Sequence, residues 1–188
     1  MILIIAGESA SGKTTLAKRI ADDNINNFSR IITYTTRPQR EGEINDIDYH
    51  FVTDEVFNNM IKQGSFVEYT NYRGWQYGTA INFGKDDNKV VVLNPTGVRA
   101  FKRYVQEHPE LGLDIYIVYL KVDRRSRLIK LLERGDDIEE AYRRSVSDEG
   151  QFAEFEREVD LVINNEKYSK SIEGIYNSLK LYPKIALN

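Results

Sequence analysis

Eight consecutive residues, Gly7-Glu8-Ser9-Ala10-Ser11-Gly12-Lys13-Thr14, have the types and spacing of a loop that wraps a phosphate. Gly7 and Gly12 let the backbone curl so that successive N–H groups converge on anionic oxygens, and a helix that starts just after them adds the positive end of its dipole. In such a loop Gly7, Ser9, Ala10, Ser11, Gly12 and Thr15 offer backbone and hydroxyl donors. Lys13 reaches the outer phosphates, and the Thr14 hydroxyl is a ligand for magnesium. The motif follows an apolar run, Ile2 to Ala6, and precedes a helical pattern, which is the setting this chemistry requires.

Other reactive groups are sparse. His50 and His108 are the only histidines and have no carboxylate or nucleophile at a spacing that builds a hydrolytic site, and the absence of cysteine removes disulfides and thiolate metal centres. A net charge of −3 argues against a nucleic-acid binder, so clustered arginines read as a local phosphate site. Apolar residues make up 41% of the chain, yet no run approaches the ~20 that a membrane span needs. Met1 leads directly into a strand pattern without the basic and apolar segments of a secretory signal, so a cytoplasmic location is expected. The 188 residues suit one domain with a small inserted lobe.

Short apolar runs alternate with helical patterns, the order of an α/β parallel sheet with crossover helices. Strands are expected at Ile2 to Ala6, Arg30 to Tyr34 and around Asp48 to Val52. A helix opens at Thr53-Asp54-Glu55, with Val56, Phe57, Met60 and Ile61 at helical spacing. Phe66 to Asn71 and Trp75 to Thr79 read as antiparallel strands, and Val90 to Leu93 as a strand buried on both faces. A turn is expected at Gly84-Lys85-Asp86-Asp87-Asn88. Then come a helix from Thr96 to His108, a strand from Asp114 to Val122 and a helix from Asp123 to Arg134. A charged helical stretch from Ile138 to about Arg157 carries a break at Gly150. The strand Leu161-Val162-Ile163 and a helix from Tyr168 to Leu181 close the chain.

Four stretches occur in family-like order and spacing: GESASGKT, TYTTRPQREGEINDIDYHFV, FVEYTNYRGWQYGT and ERGDDIEEAYRRS. Through them the sequence resembles the guanylate kinases over most of its length. The resemblance implies a P-loop doubly wound parallel sheet (core 1–33 and 88–188), an inserted antiparallel lobe for the nucleoside monophosphate at about 34–87, and a helical lid at about 134–157. It implies ATP and Mg²⁺ as cofactors and phosphorylation of GMP or dGMP. The partners would be small-molecule nucleotides only, with no nucleic acid or membrane, and with monomer and homodimer both open. Other acceptors remain open, such as a pyrimidine or deoxynucleotide or a ribose bisphosphate. So does a non-catalytic interaction module, although the intact Lys13 and Thr14 speak against it.

The resemblance also assigns residues. Arg37, Arg40 and Tyr49 fall where the family holds the acceptor phosphate, and guanidinium forks with a phenol match a compact dianion. Thr33, Glu68, Tyr77, Gly78 and Thr79 fall around the base and phosphate of the monophosphate. Arg134 and Arg144 fall in the lid and, with Lys13 and Arg37, form the expected catalytic set. Asn164 falls near the donor adenine. Glu68 can accept from N1–H and the 2-amino group of guanine, which makes GMP the best acceptor, IMP next and AMP poor.

Three departures stand against the pattern. The segment between Thr79 and Val90 is short. Asn94-Pro95 replaces the strand-end aspartates, leaving magnesium to Thr14, phosphates and water, and the 2-amino group to the Asn94 amide oxygen. In an ungapped reading Ser145 takes a lid arginine's place, and Arg144, about 100° away on the helix, substitutes only if the helix start slips.

Overall fold

The structure is a computed structural model that describes residues 1–23, 27–80 and 87–182. Its centre is β1 (Ile2–Ala6), buried along its whole length. Five parallel strands run in the order β2 (Phe28–Arg30), β7 (Asn88–Val92), β1, β8 (Ile115–Lys121), β9 (Leu161–Asn164). Parallel neighbours need crossovers, and the helices that supply them cover both faces, so the central strands are apolar without alternation. Leu3 and Ile5 point to one face, where Leu16 and Ile20 of α1 (Lys13–Ala21) meet Ile175, Tyr176 and Leu179 of α6 (Ile172–Leu179). Ile2, Ile4 and Ala6 point to the other. There Val98 and Phe101 of α3 (Pro95–Glu107) pack with Phe152 and Phe155.

The expected strand from Arg30 to Tyr34 is two strands in two sheets. β2 ends at Arg30, Ile31 N–H still bonds Val90 O at 2.9 Å, and then the chain leaves the core for β3 (Tyr34–Thr35). Thr33 lies at that crossing. The lobe sheet has the order β4 (His50–Phe51), β3, β6 (Trp75–Ala80), β5 (Phe66–Tyr72). It is antiparallel except for the β3–β4 pair. Arg73 and Gly74 join β5 to β6 with φ of 59° and 83°, the signature of a tight hairpin turn. A register shift between Phe66 and Glu68 turns Glu68 inward and leaves Phe66, Val67 and Glu68 all buried. Of the turn expected at Gly84-Lys85-Asp86-Asp87-Asn88, the first three residues lie outside the described residues, and Asn88 already begins β7.

The helix α2 (Asp54–Lys62) starts as expected, with Thr53 Oγ1 accepting from Val56 N–H at 3.3 Å. Val56 faces outward, and the helix is anchored by Phe57, stacked on Phe66 with ring centroids 4.6 Å apart. α4 (Arg124–Glu133) and α5 (Ile138–Phe152) follow, capped by Asp123 and Asp137. α5 runs through Gly150 without the expected break but ends at Phe152, short of the expected Arg157, because Ala153 turns extended and Glu154 takes φ 58°. Gly150 is exposed with nothing near it, and the burial of Ser145, Asp148 and Phe152 outweighs the ~1 kcal/mol that an internal glycine costs. The last helix begins at Ile172 rather than Tyr168, because Lys167 and Tyr168 adopt φ of 53° and 51° and Ser171 supplies the cap. Among the described residues no helix is long and apolar enough to cross a membrane.

Phe57 is the only fully buried residue of α2, so Phe57→Ala should lower stability by about 3 kcal/mol in urea unfolding. A loss below about 1 kcal/mol would contradict this anchoring.

Candidate active site

The loop between β1 and α1 has the shape its glycines suggested. A Cβ on Gly7 would lie 2.5 Å from Ser11 Oγ and 2.6 Å from Leu120 O, so no other residue fits against the sheet there. Gly12 takes φ 95° at the helix N-cap, and Ala10 takes φ 64°. Thr14 and Thr15 follow on the exposed first turn. Lys13 Nζ donates to Glu8 O at 2.6 Å. Burial pulls the Lys13 ammonium down to about 8, against the opposing pull of Asp148 and Glu8.

Beneath the loop lies a buried charge cluster. Glu8 turns its carboxylate inward, where Tyr119 Oη donates to Oε1 at 2.9 Å. Arg127 of α4 stands between Glu8 (Nη2 to Oε1 3.8 Å) and Asp148 of α5 (Nη1 to Oδ2 3.6 Å), and its Nε donates to Val122 O. Asp148 Oδ2 accepts the Ser9 N–H at 2.7 Å, so the lid helix holds one of the loop's own donors. Burial and the Glu8 carboxylate push the Tyr119 phenol far above its ordinary value. Sequence reasoning passed over Glu8, Arg127, Tyr119 and Asp148. For Arg127 a signal existed, since it precedes the buried Leu131 by four residues and so shares its inner face.

Two cavities share Lys13 in their lining. The first, of about 170 Å³, is walled by Thr33, Tyr49, Glu68, Tyr77 and Gly78, with Asn94 at one end. Glu68 accepts from Thr79 Oγ1 at 2.6 Å, and burial raises its carboxyl to about 7 even though that bond pulls the other way. The Asn94 amide oxygen is already in use. It accepts the Gly97 N–H at 2.8 Å and caps α3. Beside Tyr49, Arg37 is buried and paired through Nη2 with both oxygens of Glu43, at 2.8 and 2.9 Å, with its guanidinium 5.4 Å from the Tyr49 ring centre. Partial desolvation and then the like charges of Arg144, Arg37 and Arg134 lower the Arg40 guanidinium. Arg40 thus lies within electrostatic reach of Arg37 in the lobe and of Arg144 and Arg134 in the lid.

The lid reaches across to the lobe. Arg73 in the β5–β6 turn donates to both oxygens of Glu140, each at 2.5 Å, and Tyr72 Oη donates to Asp148 Oδ1 at 3.4 Å. Glu140 and Asp136 hold Arg144, at 2.9 and 3.4 Å, and Arg134 pairs with the same Asp136. Arg144 is buried on the inner face together with Ser145, so the one-position offset in the sequence does not turn it away from the other arginines.

The second cavity, of about 690 Å³, runs past Ser11, Thr14, Thr15 and Arg134 to a rim of Asn165, Tyr168 and Lys170. The rim asparagine is Asn165, not the expected Asn164. Asn164 is the exposed end of β9, while Asn165 is buried and bonds Lys170 through both ends of its amide. Thr14 offers magnesium a hydroxyl, while the carboxylates described near it are paired: Asp48, which lines a hollow with Thr14, with Lys18 at 2.6 Å, and Glu133, which lines the larger cavity, with Lys130 at 3.3 Å. Among the described residues no group of three carboxylates, histidines or cysteines could hold a metal. These groups fit an ion carried mainly by phosphate and water, with Thr14 as its protein ligand.

A lysine lowered to about 8 regains its proton beside a polyphosphate. Binding of ATP should therefore take up about half a proton at pH 8, and more as the pH rises towards 9. Calorimetry in buffers of different ionisation enthalpy reads this directly. Uptake that persists unchanged in Lys13→Met would contradict the assignment.

The comparisons with known proteins bear on this geometry. A solved guanylate kinase from Anaplasma phagocytophilum superposes with a TM-score of 0.67 at 20% identity, over 96% of this chain and 82% of that one, and shows a shared fold. The family model for guanylate kinase matches residues 1–182, almost the whole sequence. The protein therefore belongs to the guanylate kinase family of nucleoside monophosphate kinases.

Proposed function

We propose that the protein transfers the γ-phosphoryl group of ATP to GMP or dGMP, with ATP in the larger cavity and the acceptor in the smaller one. The observation that carries this reading is that Lys13 lines both cavities, with Arg134 in the larger one and Arg40 within electrostatic reach of arginines from lobe and lid. Phosphoryl transfer asks for alignment and for neutralisation of charge on the moving group, and little else from the protein. An acceptor phosphate oxygen attacks the γ-phosphorus in line, the new P–O bond forms, and the bond to the departing ADP oxygen breaks. No general base is needed because the attacking oxygen is already ionised.

In this reading Arg37, Arg40 and Tyr49 orient the acceptor phosphate, exchanging Glu43 for it in the case of Arg37. Lys13 exchanges the Glu8 carbonyl for the outer phosphates of ATP. Arg134 and Arg144 absorb charge from the lid side. Magnesium, bound with the triphosphate near Thr14, supplies further neutralisation. Glu68 accepts the guanine N1–H, which adenine lacks. We also read the enzyme as cytoplasmic and as acting on free nucleotides.

The test is ADP formation with ATP, Mg²⁺ and a panel of monophosphates. GMP and dGMP should react, AMP and CMP should be at least about 10³-fold slower, and folded Lys13→Ala should be silent. Because Glu68 titrates at about 7, acceptor kcat/KM should fall as the pH drops below that value, and Glu68→Gln should lack this limb. A folded wild type inactive with every acceptor would defeat the proposal.

A further inference from the structure

Ala10 lies in the left-handed region at φ 64°, third in a turn over Glu8-Ser9-Ala10-Ser11 that the Ser11 N–H closes on Glu8 O at 3.2 Å. That position favours glycine, because a Cβ in this conformation crowds the neighbouring backbone. Two side chains from distant parts of the chain hold the turn. Asp148 Oδ2 accepts the Ser9 N–H at 2.7 Å, and Tyr168 Oη donates to the Ala10 carbonyl at 2.9 Å.

The turn that carries Tyr168 is strained and pinned in its own right. Lys167 and Tyr168 take φ of 53° and 51° in succession, a conformation that residues with side chains keep only where the surroundings impose it. Here Asp123 Oδ2, at the cap of α4, accepts the Lys167 N–H at 2.8 Å, and the Asn165 amide bonds both backbone groups of Lys170 at 3.2 and 2.7 Å. The half-buried Tyr168 thereby lines the larger cavity together with Ala10, Ser11 and Lys13, its hydroxyl engaged on the loop. An amide is planar, so a fixed Ala10 carbonyl also fixes the direction of the Ser11 N–H.

We propose that Tyr168 is a positioning residue for the donor phosphates: its hydroxyl holds the Ala10 carbonyl and keeps an alanine-bearing loop in the form that cradles a polyphosphate. This rests on the reading of the larger cavity as the ATP site given above. Without the hydroxyl, Ala10 is free to relax towards the negative φ that its Cβ favours, and the loop presents its N–H groups together for less of the time. Glycine at position 10 carries no such penalty, so it removes the need for the tether. The effect falls on phosphate binding rather than on the base, because the hydroxyl acts through the loop.

The experiment measures dissociation constants by calorimetry for ATP, inorganic tripolyphosphate and GMP in the wild type, in Tyr168→Phe, and in Tyr168→Phe combined with Ala10→Gly. In folded Tyr168→Phe, ATP and tripolyphosphate should both weaken by about threefold to tenfold, the worth of one hydrogen bond, while GMP binds as in the wild type. The added Ala10→Gly should recover most of that loss. Undiminished ATP affinity in Tyr168→Phe would overturn the proposal. So would a loss confined to ATP with tripolyphosphate unaffected, and so would a loss that Ala10→Gly leaves in place. A wild type that binds neither ATP nor tripolyphosphate would overturn the nucleotide reading and the role of Tyr168 together.

Discussion

The guanidinium of Arg127, buried between the carboxylates of Glu8 and Asp148, is the contact on which the arrangement of the site depends. It joins the phosphate loop to α4 and the lid helix α5, two neighbouring helices that come much later in the chain. A buried charge is tolerated only when it is paired and hydrogen-bonded, and here each member has a second partner. Tyr119 serves Glu8, the Val122 carbonyl serves Arg127, and the Ser9 N–H serves Asp148. Removal of one member from such a cluster typically costs about 3–5 kcal/mol because the others are left uncompensated. The loop therefore owes its shape to side chains below it as well as to its glycines.

The same logic runs through the cationic groups above the loop. Lys13, Arg37, Arg134 and Arg144 are each held by an internal partner that an anion can replace. Lys13 rests on the Glu8 carbonyl, Arg37 on Glu43, and Arg144 on Glu140 and Asp136. Such pairs keep the side chains oriented while the protein is empty, which limits the entropy lost when phosphates arrive. The Arg73–Glu140 contact holds the lid against the lobe, and Arg134 of the lid lines the larger cavity.

Sequence patterns carried the fold well where one physical rule dominated. The all-apolar β1 and Val90–Leu93 announced strands buried on both faces, and Gly7 to Thr14 announced its loop. They failed where tertiary context overrode local pattern. Arg30–Tyr34 reads as one strand, but the chain must pass there from one sheet to another. Gly150 reads as a break, but a buried face on either side carries the helix through it. In the site, the grouping of Thr33, Tyr49, Glu68 and Tyr77 was legible only through family spacing, because the residues come from different strands and loops. Asp148 and Tyr72 were illegible, since their roles arise from the meeting of lid and lobe. Asn164 was one residue away from the asparagine on the rim, an error that the end of β9 explains.

The central claim is that one site aligns two nucleotides and neutralises the phosphoryl group between them. Trapping of fluoroaluminate with ADP and a 6-oxopurine monophosphate, followed by ¹⁹F resonances, measures this most directly, because the trapped anion mimics the group in flight. Bound-fluoride signals should appear only when ADP, Mg²⁺ and the monophosphate are all present, and should be lost in Lys13→Ala. Signals of equal strength with ADP and Mg²⁺ alone would contradict the account, since the acceptor side would then contribute nothing to the transition state.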